Sequence, residues 1–176
     1  MKKIVEKIYN KIIWIYYKLI NPNKVAKLRG VRYGKNCNFR TKEFGSEPYL
    51  IKVGNNVCTS LNVTFITHDG SVNILRYLYN EYKDIDILDQ IIIGNNVFIG
   101  HSVILLPGTT IGDNVIVGAG SIVKGKLLSN SVYAGVPAKF ICTLEEYINK
   151  NKNKFTNTKH LSPKEKKEFL INKYNL

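Results

Sequence analysis

Residues 91–123 read IIIGNNVFIGHSVILLPGTTIGDNVIVGAGSIV, and this stretch decides the fold. Every sixth residue from Ile93 is aliphatic: Ile93, Ile99, Leu105, Ile111, Val117 and Val123. Glycine follows four of them, as Gly94, Gly100, Gly112 and Gly118. Four positions after an aliphatic stands a second small or β-branched residue: Val97, Val103, Thr109, Val115 and Ser121. A period of six suits neither an amphipathic helix nor a plain alternating strand. It is a short-repeat signature of a parallel β-helix. Each unit makes one flat side, its aliphatic points into the core, and the next residue turns a corner where glycine fits best. One unit cannot bury its own apolar face, so stacked coils supply the core. Six positions in phase argue against a set of unrelated buried strands.

Working outward, Val53, Thr59 and Phe65 keep the same step upstream, with Val57 and Val63 in the second inward slot. The register starts imperfectly at Tyr33-Gly34, Cys37 and Phe39, and residues 40–48 are irregular and polar. Residues 67–90 carry no repeat, and an excursion of that length between well-formed coils is usually functional. It holds His68, Arg76 and the acids Glu81, Asp84, Asp86 and Asp89. After Val123 the repeat frays through Lys124-Gly125-Lys126, and Val136-Pro137-Ala138-Lys139 leaves the coil. Capping boxes at Thr143–Glu146 and Ser162–Glu165 predict two short helices, joined by an Asn/Lys-rich linker near 151–160.

Residues 3–20, KIVEKIYNKIIWIYYKLI, read as an amphipathic helix. Ile4, Ile8, Ile12, Ile15 and Leu19 share one side, and Lys3, Lys7, Lys11 and Lys18 gather on the other with Trp14. No apolar run approaches the ~20 residues of a membrane span, and no small-residue cleavage site suggests a signal peptide. Two readings stand: a helix packed on the coil or on a neighbouring subunit, or a basic aromatic helix lying on a membrane surface. Asn21-Pro22-Asn23 is expected to end it by turn chemistry.

The net charge of +13 is uneven. Residues 1–32 carry nine Lys/Arg against one acid (+8), residues 33–139 nine against eight (+1), and residues 140–176 eight against four (+4). A nearly neutral repeat region gives no nucleic-acid groove. The basic ends suit an anionic surface or plain solubility. Cys37, Cys58 and Cys142 are odd in number and lack CxxC spacing, which argues against a disulfide framework or a zinc site and fits a reducing compartment.

The aliphatic-Gly repeat, VYAGVPAK (132–139), SEPYLIKVGNNV (46–57) and TFITHDG (64–70) together resemble the hexapeptide-repeat acyltransferases. Among these the chain looks most like the surface-polysaccharide and sugar O-acetyltransferases related to maltose and galactoside acetyltransferases. The resemblance covers roughly residues 30 to 145. It implies an all-β core wound as a left-handed parallel β-helix; periodicity alone gives no hand. With the amphipathic pattern and the capping boxes, the chain divides into an N-terminal helix and linker over 1–30, the coil over 31–141 with its excursion over 67–90, and a helical tail over 142–176. The expected protein is a cytoplasmic homotrimer with active sites between subunits, using acetyl-CoA and no metal. Its acceptor is a small-molecule or lipid-linked saccharide. Peripheral contact with the inner face of the membrane through residues 1–20 is the sharper reading of the helix.

In such enzymes the histidine of a threonine-bearing segment at this place is the general base, which carries onto His68. A histidine near its ordinary pKa can take a proton from a sugar hydroxyl near neutral pH. Its other ring nitrogen needs an orienting acceptor, with Glu47 the first candidate and Asp69 the second. No Ser or Cys stands in a nucleophile motif, so direct transfer is expected. The excursion becomes a wall or lid over the acceptor. For the donor arm the resemblance points to Phe98 (FIG where relatives carry WIG) and to backbone amides near Gly100, Gly118 and Ala119. Lys124, Lys126 and Lys139 are candidates for the CoA phosphates, although VKGK replaces the more usual VTKD. Asn62 and Arg76 are candidates for the sugar or a diphosphate on it. His101 is either a surface residue or close to the thioester. Carbonic anhydrases on the same coil need an H-x4-H pair, which this sequence lacks. N-acetylation of a nucleotide-linked amino sugar and a non-enzymatic scaffold are the alternative readings.

Overall fold

The computed structural model describes residues 20–176; the helix expected over 3–20 lies, apart from Ile20, outside them. The repeat folds as short parallel strands stacked in three sheets, so each turn of chain has three sides. One sheet runs β1 (Arg32–Tyr33), β2 (Ile51–Val53), β5 (Ile91–Ile93), β8 (Thr110–Ile111) and β11 (Lys126–Leu127). The second runs β4 (Thr64–Phe65), β7 (Ile104–Leu105) and β10 (Ile122–Val123). The third runs β3 (Cys58–Thr59), β6 (Val97–Ile99), β9 (Val115–Val117), β12 (Ser131–Ala134) and β13 (Lys139–Thr143).

The register reproduces the sequence period. Ile93 stands on Ile111, Ile99 on Val117 and Leu105 on Val123. Each aliphatic therefore rests on the third one after it in the repeat, and three sides make one turn. Val53 stands on Ile93, a much longer step, because the excursion intervenes. Ile111 stands on Leu127, a slightly shortened turn, which is where the repeat frays. The inward aliphatics are buried throughout. The polar inward residues Thr109 and Ser121 donate their hydroxyls to the carbonyls of Val123 and Gly118. Among the described residues no buried side-chain nitrogen or oxygen lacks a partner, as a dry core requires.

One edge of the prism is a ladder of asparagines. Asn56, Asn96 and Asn114 turn the corner at φ of 56°, 55° and 57°, a left-handed conformation that asparagine tolerates better than other side chains. Their amides bond from coil to coil: Asn56 to Asn96, Asn96 to Asn114 and Asn114 to Asn130, each at 2.8 Å.

Asn21-Pro22-Asn23, expected to end a helix, begins one, α1 (Pro22–Leu28). Asn21 accepts from the Asn23 N–H as N-cap, and proline takes a first-turn position where no N–H is needed. Val25 and Ala26 are buried in the same cluster as the coil's aliphatics, and Asn23 bonds to Cys37 O and Phe39 N. The helix therefore closes the first coil. At the other end β13 turns back antiparallel along β12, so the segment expected to leave the coil returns along it.

The chain divides into two compact units, 1–144 and 145–176. The second holds most of α3 (Leu144–Asn151) and all of α4 (Pro163–Tyr174). Ser162 and Glu165 form the expected reciprocal capping box. Among the described residues no helix is long and apolar enough to cross a membrane.

A Cβ at Gly100 would meet the Ala119 backbone, nitrogen at 2.5 Å and Cα at 2.8 Å, whereas one at Gly70 meets nothing within 4 Å. Gly100→Ala should lower stability by about 1–3 kcal/mol through overpacking, and Gly70→Ala should leave it unchanged, read as paired thermal midpoints.

Candidate active site

The site forms where the coil opens into the excursion. After Phe65 the chain runs through Thr67 to His68 and leaves the prism. Its return is fixed by a small antiparallel ladder: Asp69 N–H donates to Ile87 O at 2.9 Å, Asp89 N–H donates to Thr67 O at 3.0 Å, and His68 bridges Leu88. Between these strands stand α2 (Val72–Leu78) and a short 3-10 turn, Asn80–Tyr82. Val72 is the buried anchor of α2. Arg76 ties the helix down: its guanidinium donates to Ile85 O, to Asn73 Oδ1 at 2.8 Å and to the Asp86 carboxylate.

The second half of the site comes from the irregular segment before β2. Phe44 is fully buried between Phe39 and Phe65, and Arg29 donates to Gly45 O at 2.6 Å. Gly45 has φ of 65°, and a Cβ there would lie 2.8 Å from Phe65 O. Only glycine brings residues 45–47 this close to 65–67. Glu47 then meets the excursion: Thr67 Oγ1 donates to Glu47 Oε2 at 2.7 Å, and His68 Nδ1 lies 3.1 Å from the same oxygen. Ser46 Oγ is 3.0 Å from that ring nitrogen as well.

The Thr67 hydroxyl holds the Glu47 carboxyl below the usual glutamate range; burial opposes it, and the weaker His68 and Ser46 hydrogen bonds add to the lowering. An ionised carboxylate only accepts, so the partners assign the His68 proton to Nδ1 and leave Nε2 with a free lone pair. The Glu47 side chain is 20% exposed and that of His68 46%, which suits a held partner and an accessible base. Asp69 does not share this role: the Ser71 backbone N–H donates to its carboxylate at 2.9 Å and lowers its pKa. It caps the start of the excursion.

His68 and Asp69 stand on the rim between two hollows. One, of about 490 Å³, is lined by Ile66, Ile87, Leu88, Leu106, Pro107 and Lys124 among others. The other, of about 370 Å³, is lined by Ser46, Glu47, Tyr49, Asn73, Arg76 and Asp86 among others.

The remaining candidates are distributed over the prism. Lys124 shares the first hollow with His68. Asn62, Gly100, Gly118 and Ala119 lie at the next corner, the far edge of the β4–β7–β10 face. A side of the coil at about 3.3 Å per residue puts the two corners roughly 15–20 Å apart. Asn62 has φ of 56°, and that turn accounts for its identity. The Gly100 and Gly118 N–H groups donate to Val117 O and Tyr133 O, and Gly120 N–H donates to His101 O. That leaves the N–H of exposed Ala119 without an acceptor among the described residues. Phe98 projects from the outer face of β6, exposed. Lys126 and Lys139 are exposed, the latter at the start of β13, and His101 is exposed at its corner. Ser46 and Thr67 were not among the sequence candidates. Thr67 directly precedes His68 and Ser46 precedes Glu47, but nothing local in the sequence says that the two pairs meet. Among the described residues no cluster of three or more His, Cys, Asp or Glu side chains has the arrangement of a metal site.

The bacterial transferase hexapeptide family, six repeats, matches residues 90–125. Protein CapG of Staphylococcus aureus is 46% identical over 158 residues, which is 88% of this chain and 90% of CapG. Galactoside O-acetyltransferase of Escherichia coli K12 is 42% identical over 96 residues, 54% of this chain and 45% of that enzyme. Among solved structures, a galactoside acetyltransferase in complex with coenzyme A superposes with a TM-score of 0.50 at 28% identity, covering 73% of this chain and 70% of that one. This kinship implies left-handed winding for the coil. A repeat matched in its own register and a relative matched along nine-tenths of its length lead to one conclusion: the chain belongs to the hexapeptide-repeat acyltransferases.

Proposed function

We propose that the chain is an acetyl-CoA-dependent O-acetyltransferase that acylates a saccharide hydroxyl, in the assembly of a surface polysaccharide. The observation that carries the reading is the Glu47–His68 pair on the rim between two hollows. Galactoside acetyltransferases among the relatives, one of them bound to coenzyme A, support the donor and the acceptor class.

His68 takes the hydroxyl proton at Nε2 while Nδ1–H stays directed at Glu47, whose negative charge steadies the imidazolium that forms. The freed oxygen electron pair makes the new bond to the acyl carbon, and the carbon–sulfur bond breaks. His68 then returns its proton to the sulfur. The donor supplies an acyl carbon already activated as a thioester. Three features fit that donor: the apolar walls of the first hollow, Lys124 beside them, and the open Ala119 N–H between Gly118 and Gly120. The roughly 15–20 Å between that corner and His68 supports a homotrimer in which one subunit's corner faces the next subunit's histidine. The irregular excursion forms the acceptor wall, and residues 1–20 supply any peripheral membrane contact.

His68→Ala should lower acetyl transfer by about 10²–10⁴-fold, with the oligomer intact by light scattering. Unchanged turnover removes the mechanism. Glu47 is bound in its ionised form, so the stability it contributes is fully present above the unfolded pKa and is lost as pH falls through the lowered folded value. Thr67→Val removes the largest cause of that lowering and should raise the acid limb of the pH–rate profile. An acid limb that stays put rules out Thr67 as the group holding Glu47.

A further inference from the structure

The hollow on the Glu47 side carries more negative than positive charge. Glu47, Asp69 and Asp86 line it with Arg76 as the one guanidinium, while His68 is neutral when it acts as base. Hydrogen bonds lower the pKa of both Glu47 and Asp69, so both are ionised at neutral pH. Arg76 is the group that would have welcomed a phosphate or a carboxylate. Its Nε and Nη2 are instead engaged by Ile85 O, its Nη1 by Asn73, and its charge by Asp86. A phosphate entering here would have to break the contacts that hold α2 to the excursion. The rim adds Tyr49, 59% exposed, whose ring offers a flat apolar face with a polar tip. That is the surface on which the C–H face of a pyranose rests. Carboxylates beside it accept hydrogen bonds from sugar hydroxyls, and the same carboxylates repel an anion.

We propose that the Glu47-side hollow is an acceptor subsite for an uncharged sugar residue and discriminates against uronic acids, sugar phosphates and the diphosphate of a nucleotide-linked sugar. The inference rests on the acetyltransferase reading. Tyr49 is the stacking platform and Asp86 the specificity-determining charge. A nucleotide-linked acceptor would have to place its diphosphate outside this hollow.

The test compares the full chain on matched acceptors with acetyl-CoA as donor, following thiol release. The neutral set is the methyl glycosides of glucose, galactose and N-acetylglucosamine. The anionic set is methyl glucuronide, methyl galacturonide and glucose 6-phosphate. At low salt the best neutral acceptor should exceed the best anionic one in kcat/KM by about tenfold or more. Raising the salt should narrow the ratio. Asp86→Asn keeps a hydrogen-bonding partner for Arg76 while removing a charge. It should narrow the ratio severalfold by lowering KM for the anionic set; a purely structural effect would lower turnover for both sets alike. Tyr49→Ala should raise KM for the neutral set with kcat little changed. An anionic acceptor that equals or beats the neutral ones overturns the inference while leaving the acetyltransferase reading in place. Transfer to no acceptor in either set overturns both.

Discussion

Stacking of one coil on the next, with every aliphatic of the repeat lying on another aliphatic one full turn away, is the constraint from which the rest of this structure follows. A strand of two or three residues has no stability of its own. It exists here because the strands above and below pair with it and because its inward residue completes a dry column. The corner residues inherit the same demand. Gly100 is small because the backbone of the next coil lies against it. The asparagines bend left-handed and then tie their amides to one another, so this corner of the coil is also a continuous line of hydrogen bonds. A rigid prism of this kind can hold an exposed histidine in a fixed direction without burying it.

The Glu47–His68 pair lies where that regularity is suspended. His68 is the first residue to leave the prism, and Glu47 comes from the irregular segment that precedes β2. Each is fixed by something outside the repeat. The excursion is closed at its base by main-chain bonds between 67–69 and 87–89. The Glu47 segment is pressed down by Phe44 and admitted by Gly45. The repeat thus provides a stiff platform, and two insertions carry the candidate site, as is common where loops carry function on a regular scaffold.

The fold was legible because its signal is a phase: Ile93 to Val123 keep step with no exception, and a period of six has few physical solutions. His68 was legible only by its likeness to other acyltransferases; a lone histidine beside a loop has no periodic signature. Glu47 was reachable as a candidate, but its link to Thr67 crosses an irregular segment and a whole coil, where no pattern predicts contact. Asn21-Pro22-Asn23 shows a different limit. Residues of the kind that can stop one helix are also good starters for another, and the buried face that favours α1, Val25-Ala26, is too short to stand out in the sequence. Arg76 reads as a phosphate ligand from its residue type alone. Its partners in the folded chain, Ile85 and Asp86, are close in sequence but lie across a helix that the sequence pattern did not reveal.

Parallel coils present a general hazard, since a bare end is a template on which another molecule's first strand can add without limit. Among the described residues this chain covers part of each end. At the upper end α1 lays Val25 and Ala26 over the opening turn; at the lower end β13 runs against the direction of its neighbour. The next molecule's coil would need a parallel edge, and on the sheet that ends in β12 the reversed strand does not supply one. On that sheet the hairpin therefore acts as a terminus for growth along the coil axis.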